Sequence, residues 1–129
     1  MRIVSPIEPL PTPWRLEAPP DDVRSELWAV GADLEPGTLL AAYRLGLFPM
    51  PLRDGLGWFS PARRAIVPLD SFTPSRSLER AARRYEIRVD TTFADVVVGC
   101  ARPGEPTSWI DPAVVAAYRR LHELGWAHS

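Results

Sequence analysis

Proline sets the first limit on this chain. Fifteen of its 129 residues are proline, and eleven of those fall in two stretches, 6–20 and 49–74. Proline has no backbone N–H, and its ring collides with the preceding helical turn. Neither stretch can therefore be the interior of a helix, and both are expected to be loops or extended segments. The length suits one ordinary domain or two small ones. A hydrophobic fraction of 46% is enough to bury a core. The single cysteine, Cys100, rules out an internal disulfide and fits a reducing compartment. "MRIVSPIEPLPTPW" reads as no cleavable leader, and no window approaches the length of a membrane span, so a cytoplasmic location is expected.

Between the prolines, helix and strand patterns alternate, which points to an α/β architecture. "LWAVGADL" is expected to hold a short strand or turn. "EPGTLLAAYRLG" reads as a helix from Pro36 to Leu45, ended by Gly46. An aromatic loop is expected over 47–62, because Phe48, Met50, Trp58 and Phe59 are studded there with glycine and proline. "RAIVPL" and the alternating "YEIRVD" read as strands. In "TTFADVVVGCAR", Thr92 precedes a helix with the stripe Phe93, Val96, Val97 and Cys100, and the cysteine is expected to be a buried small hydrophobe. The last helix opens with Asp111 as cap and Pro112 in the first turn, and closes at Gly125. Its stripe is Val114, Val115, Tyr118, Leu121 and Leu124.

The net charge of −1 hides an uneven distribution. Residues 1–36 carry three arginines against seven acids, and residues 63–88 carry seven arginines against three. All fifteen basic residues are arginine, as a GC-rich genome or a demand for guanidinium forks would each produce. "SRSLERAARRY" follows Pro74 and predicts a helix from Ser75, with Arg76, Arg80, Arg83 and Arg84 on one face. Leu78, Ala81, Ala82 and Tyr85 fall on the other, able to pack inward. The arginine face reads either as solvated surface or as a phosphate-binding row.

Several chemistries are absent from the motifs. "HELGW" has Trp126 where a zinc protease places its second histidine. His122 and His128 alone make no metal site, and no cysteine pair exists for zinc. "DGLGWFS" is no dinucleotide loop, and there is no G-x-S-x-G elbow.

Taken together and in order, "VGADLEPGTLLAAY", "YRLGLFPMP", "WFSPARRAI", "SRSLERAARR", "RVDTTFADVVVGCA" and "SWIDPAVVAAYRRLHELGWAHS" resemble the leucyl/phenylalanyl-tRNA–protein transferase family over residues 27–129. The resemblance implies transfer of Leu or Phe from aminoacyl-tRNA to the N-terminal Arg or Lys of a protein, marking it for degradation, without metal or cofactor. It implies a small N-terminal α/β domain, 1–61, followed by the beginning of a GNAT-like acyltransferase domain, 62–129. It places Tyr43, Met50, Trp109 and Tyr118 in a pocket for the aminoacyl end, and Arg76, Arg80, Arg83 and Arg84 on the tRNA. From the residues alone, Tyr43 and Tyr118 read equally as helix-face packing. Met50 and Phe59 stand where the family commonly has tryptophan.

Family members continue for about as many residues again beyond "GWAHS". The expectation is that the catalytic groups lie beyond Ser129, leaving this stretch inactive alone. Two other readings follow: a non-catalytic module that binds the aminoacyl end of tRNA, and an acetyl-CoA-dependent GNAT enzyme.

Overall fold

The computed structural model describes residues 5–20, 26–102, 104–105 and 108–129. Residues 1–4, which open the stretch read as no cleavable leader, lie outside the described residues, as do 21–25. The fold is mixed α/β, with a three-stranded antiparallel sheet and four helices. In chain order these are β1 (Leu27–Val30), α1 (Pro36–Arg44), β2 (Phe48–Leu52), β3 (Gly55–Phe59), α2 (Arg76–Ala82), α3 (Phe93–Cys100) and α4 (Pro112–Glu123).

α1 starts where Pro36 stands in its first turn and needs no hydrogen-bond donor. It stops at Gly46, whose φ of +77° suits a residue without a Cβ. The amides of Gly46 and Leu47 then reach back to the carbonyls of Tyr43 and Ala42, at 3.0 and 2.9 Å. That closure drives Leu47 into the core.

The aromatic stretch is not a loop. It is the hairpin β2–β3, with Phe48 opposite Phe59, Pro49 opposite Trp58 and Leu52 opposite Gly55. Its prolines are tolerated because the strand order β1-β3-β2 puts β2 at the sheet edge. Alternate residues of an edge strand turn their nitrogens away from the neighbour, and Pro49 and Pro51 are two apart. Trp58, 1% exposed, lies on central β3, and its indole N–H donates to the Gly31 carbonyl at 2.9 Å.

The core joins α1, β3 and α4 through Leu39, Leu40, Ala42, Leu47, Trp58, Ala117 and Leu121. Asp111 caps α4 by accepting the Val114 amide at 2.8 Å. The proline-rich arm, 5–20, has no helix or strand and straps this core. The Ile7 amide donates to Leu124 O, and the Trp126 indole donates to Ile7 O, each at 2.8 Å. Glu8 takes a forked pair of hydrogen bonds from Arg44, at 2.7 and 3.0 Å.

Residues 62–89 behave differently. Every one is exposed except half-buried Ala81. "RAIVPL" and "YEIRVD" form no strand, because a strand needs a neighbour for its backbone groups and none of the described residues supplies one. Ile87, expected half-buried, is 89% exposed. α2 does form, and Ser75 caps it by accepting the Leu78 amide at 3.2 Å. Its expected inward side is largely uncovered: Leu78, Ala82 and Tyr85 are exposed, and Ala81 is half-buried.

Candidate functional site

Three helices border an apolar cavity that opens to solvent. Its volume is about 630 Å³, within the range of small-molecule sites. α1 contributes Leu40 and Tyr43, α3 contributes Phe93, Val96, Val97 and Cys100, and α4 contributes Val114, Tyr118 and Leu121. The segment before α4 adds Trp109 and Ile110, and the tail after it adds Trp126 to Ser129. The opening to solvent explains two departures from the expected α3 stripe. Phe93 is buried, but Val96 and Cys100 border the cavity and are exposed. Cys100 is therefore no buried core residue.

The cavity unites three of the four expected pocket residues. Tyr43 and Tyr118 hydrogen-bond to each other through their hydroxyls, across the α1–α4 seam. Burial, then the bond to Tyr43, pushes the Tyr118 phenol well above its usual range. Tyr118 thus stays a neutral phenol near pH 7, a hydrogen-bonding group rather than a base. Trp109 stands on an irregular segment, tied back to α3 by the Ser108 hydroxyl donating to Ala101 O. The indoles of Trp14, Trp28, Trp58 and Trp126 all donate hydrogen bonds. The Trp109 indole has no partner among the described residues, and its side chain is 39% exposed at the cavity. Met50 lies elsewhere. It is half-buried on β2, opposite Gly57, and is not in this lining.

The expected arginine row is exposed along α2 and just beyond it. Arg83 is the C-cap and Arg84 follows in a turn. None of Arg76, Arg80, Arg83 and Arg84 pairs with a carboxylate among the described residues. Other arginines of the basic half are engaged: Arg64 donates to Gly46 O at 2.6 Å, and Arg88 pairs with Glu86 at 2.8 Å. Four guanidinium groups on seven helical residues and their C-terminal turn concentrate positive charge on one exposed surface.

Sequence reasoning missed one cluster. Asp90, His122 and His128 each bring a ligand-type atom within 4.8 Å of the others, a composition that could hold a metal ion. Their bonding is already committed. His128 Nδ1 faces Asp90 Oδ2 at 2.7 Å, and its Nε2 faces Gly125 O at 3.2 Å. Both partners only accept, so the two contacts are satisfied together when the ring is doubly protonated. Nothing in the sequence spacing signals this cluster, because 38 residues separate Asp90 from His128.

Comparison with known proteins places these features in a family context. Residues 66–129 match the profile of the leucyl/phenylalanyl-tRNA protein transferase family, and residues 32–62 match the profile of that family's N-terminal domain. The chain is 46% identical to a leucyl/phenylalanyl-tRNA–protein transferase of Aromatoleum aromaticum, over 91% of this chain and 54% of that relative. It is 46% identical to one from Nitratidesulfovibrio vulgaris, over 88% and 49%. It is 44% identical to one from Escherichia coli, over 80% and 45%. The chain thus spans about half the length of the curated relatives it matches.

Proposed function

The chain belongs to the leucyl/phenylalanyl-tRNA–protein transferase family, and from that premise we propose that it binds the charged end of an aminoacyl-tRNA for transfer of Leu or Phe to a protein. In that reaction the acceptor's α-amine attacks the ester carbonyl. A C–N bond forms, the ester C–O bond breaks, the amine loses a proton and the ribose hydroxyl regains one. The ester is already activated, so no metal or nucleotide is needed. The acceptors would be proteins with N-terminal Arg or Lys, in the cytoplasm. Among the described residues, no helix is long and apolar enough to cross a membrane.

One observation carries the reading: Tyr43, Trp109 and Tyr118, distant in sequence, converge on one apolar cavity. A Leu or Phe side chain gains most from a dry, concave, aromatic-lined site. The unpaired arginines of α2 supply the second requirement, a row of forks for the phosphates of the acceptor stem. Met50, on the hairpin, would complete the aminoacyl site from outside the cavity. The architecture that fits is a small N-terminal domain, 1–61, leading into the beginning of a GNAT-like domain, 62–129. Two family profiles meeting between residues 62 and 66 favour that division.

In this reading Tyr118 and His128 hold the cavity wall rather than move a proton. Tyr118 is held neutral, and both His128 nitrogens are occupied by hydrogen bonds.

The test is titration of the chain with Phe-tRNA and with uncharged tRNA. Charged tRNA is expected to bind more tightly, and Trp109→Ala is expected to erase that preference, a loss of roughly 1–3 kcal/mol on the scale of apolar pocket contacts. Equal binding of charged and uncharged tRNA by the unaltered chain would refute the reading.

A further inference from the structure

The polar edge of the cavity is held from outside it. Asp90 lies between α2 and α3 with φ +57°, a left-handed conformation that Asp tolerates better than most residues. Its amide donates to Ser129 O at 2.9 Å. Its carboxylate accepts the Ser129 amide on Oδ1 at 3.0 Å and the His128 ring on Oδ2 at 2.7 Å. His128 and Ser129 in turn line the cavity, beside Trp126 and Ala127.

Among the described residues, the titratable side chains facing His128 are Asp90 and His122. Asp90 is the charged partner, and His122 lies at 6.5 Å between ring centroids. The His122 Nδ1 is 3.8 Å from Asp90 Oδ1, within 2.8 Å of Ala127 O, and its ring stacks on Phe93 of α3. Gly125 supplies a carbonyl.

We propose that Asp90 is a positioning residue for the aminoacyl cavity: its carboxylate clamps protonated His128 and Ser129 as one wall, and loss of the His128 proton loosens that wall. The pocket role rests on the function proposed above.

The sign of the pH dependence follows from the bonds. The hydrogen bond to Asp90 raises the His128 pKa, aided by Asp90's charge and the Gly125 carbonyl and opposed by burial. The clamp is therefore complete below the free imidazole value of about 6.5. It is lost as pH rises through the raised value. At the acid end, the hydrogen bonds from His128 and then Ser129 hold the Asp90 carboxyl below its usual range. The clamp is thus complete down to the usual carboxylate value of about 3.9, and is lost only as pH falls through the lowered one.

The chain has two histidines, so both imidazoles can be followed by NMR. In the unaltered chain, His128 is expected to titrate above about 6.5. The Ser129 amide and Trp126 indole signals should move with it. Asp90→Asn tolerates the left-handed backbone and keeps an oxygen acceptor but removes the charge. It is expected to bring His128 back toward the free value and uncouple those signals. Binding of an amide-linked phenylalanyl-adenosine should weaken about threefold through the His128 titration, the scale of a partly exposed ion pair, and should be pH-independent in Asp90→Asn. Identical His128 titrations in the two proteins would overturn the clamp. So would binding by the unaltered chain that ignores the titration. If the unaltered chain binds no analogue at any pH, the proposed function fails, and the clamp is judged by the coupling of His128 to Ser129 and Trp126. Should Asp90→Asn disturb the turn, His128→Gln provides the same pH-independent control.

Discussion

Residues 36–59 and residues 62–89 both carry apolar side chains at regular spacing, yet only the first stretch is covered. In the first, Leu39, Ala42, Leu47 and Trp58 are fully buried. In the second, Ile66, Val67, Leu69, Phe72, Tyr85 and Ile87 stand in solvent. The difference lies in what each pattern meets. α1 and β3 find α4, which arrives from more than fifty residues along the chain. "RAIVPL" and "YEIRVD" meet no strand among the described residues. Periodicity announces that a face needs a partner; it does not supply one.

The sharpest way to break this contrast is a pair of truncations. Trp58→Ala is expected to destabilise the chain by about 3–5 kcal/mol, the range for emptying a large aromatic site. Ile87→Ala is expected to change stability by no more than about 0.5 kcal/mol, as for exposed positions. Urea unfolding of the two variants measures both. Comparable losses would show that 62–89 is covered in solution.

A smaller effect sharpens the covered half. A Cβ on Gly37 would lie 2.0 Å from Leu10 O, so the proline-rich arm needs glycine there to lie on α1. Gly37→Ala is expected to cost about 1–3 kcal/mol by overpacking. Proteolysis should then begin in residues 5–20.

In the uncovered half the expected change is functional. Replacing Arg83 and Arg84 with alanine should leave unfolding unchanged while weakening tRNA binding. The slope of log affinity against log salt should flatten by about one unit for each phosphate that an arginine no longer neutralises. An unchanged slope would make the row plain solvated surface.

The smallest effect concerns pH and stability. Because the His128 pKa is raised in the fold, its contribution is present below about 6.5 and disappears as pH rises through the raised value. Urea midpoints taken across that interval should fall in the unaltered chain more than in Asp90→Asn.

Local chemistry was legible in the sequence where it acts within a few residues. Pro36 and Gly46 mark α1, Ser75 caps α2, and Asp111 and Pro112 start α4. The hairpin was not legible, because prolines in "FPMPL" argue against a strand until the strand is known to be an edge. Exposure of Cys100 and Val96 was hidden for a related reason: an apolar helix stripe reads the same whether it faces a core or an open cavity. Tyr43, Trp109 and Tyr118 were singled out as pocket residues by the family motifs, while their convergence is a property of the packing. The Asp90–His128 pair left no trace in spacing at all.

The central claim is that the cavity among α1, α3 and α4 takes the transferred side chain. Methyl-labelled chain titrated with amide-linked phenylalanyl-adenosine tests it most directly. Leu40, Val96, Val97, Val114 and Leu121 line the cavity, and their methyl signals are predicted to shift together and saturably. Shifts confined to Leu52, Leu56 and Met50 of the hairpin, with the cavity methyls unmoved, would contradict the claim.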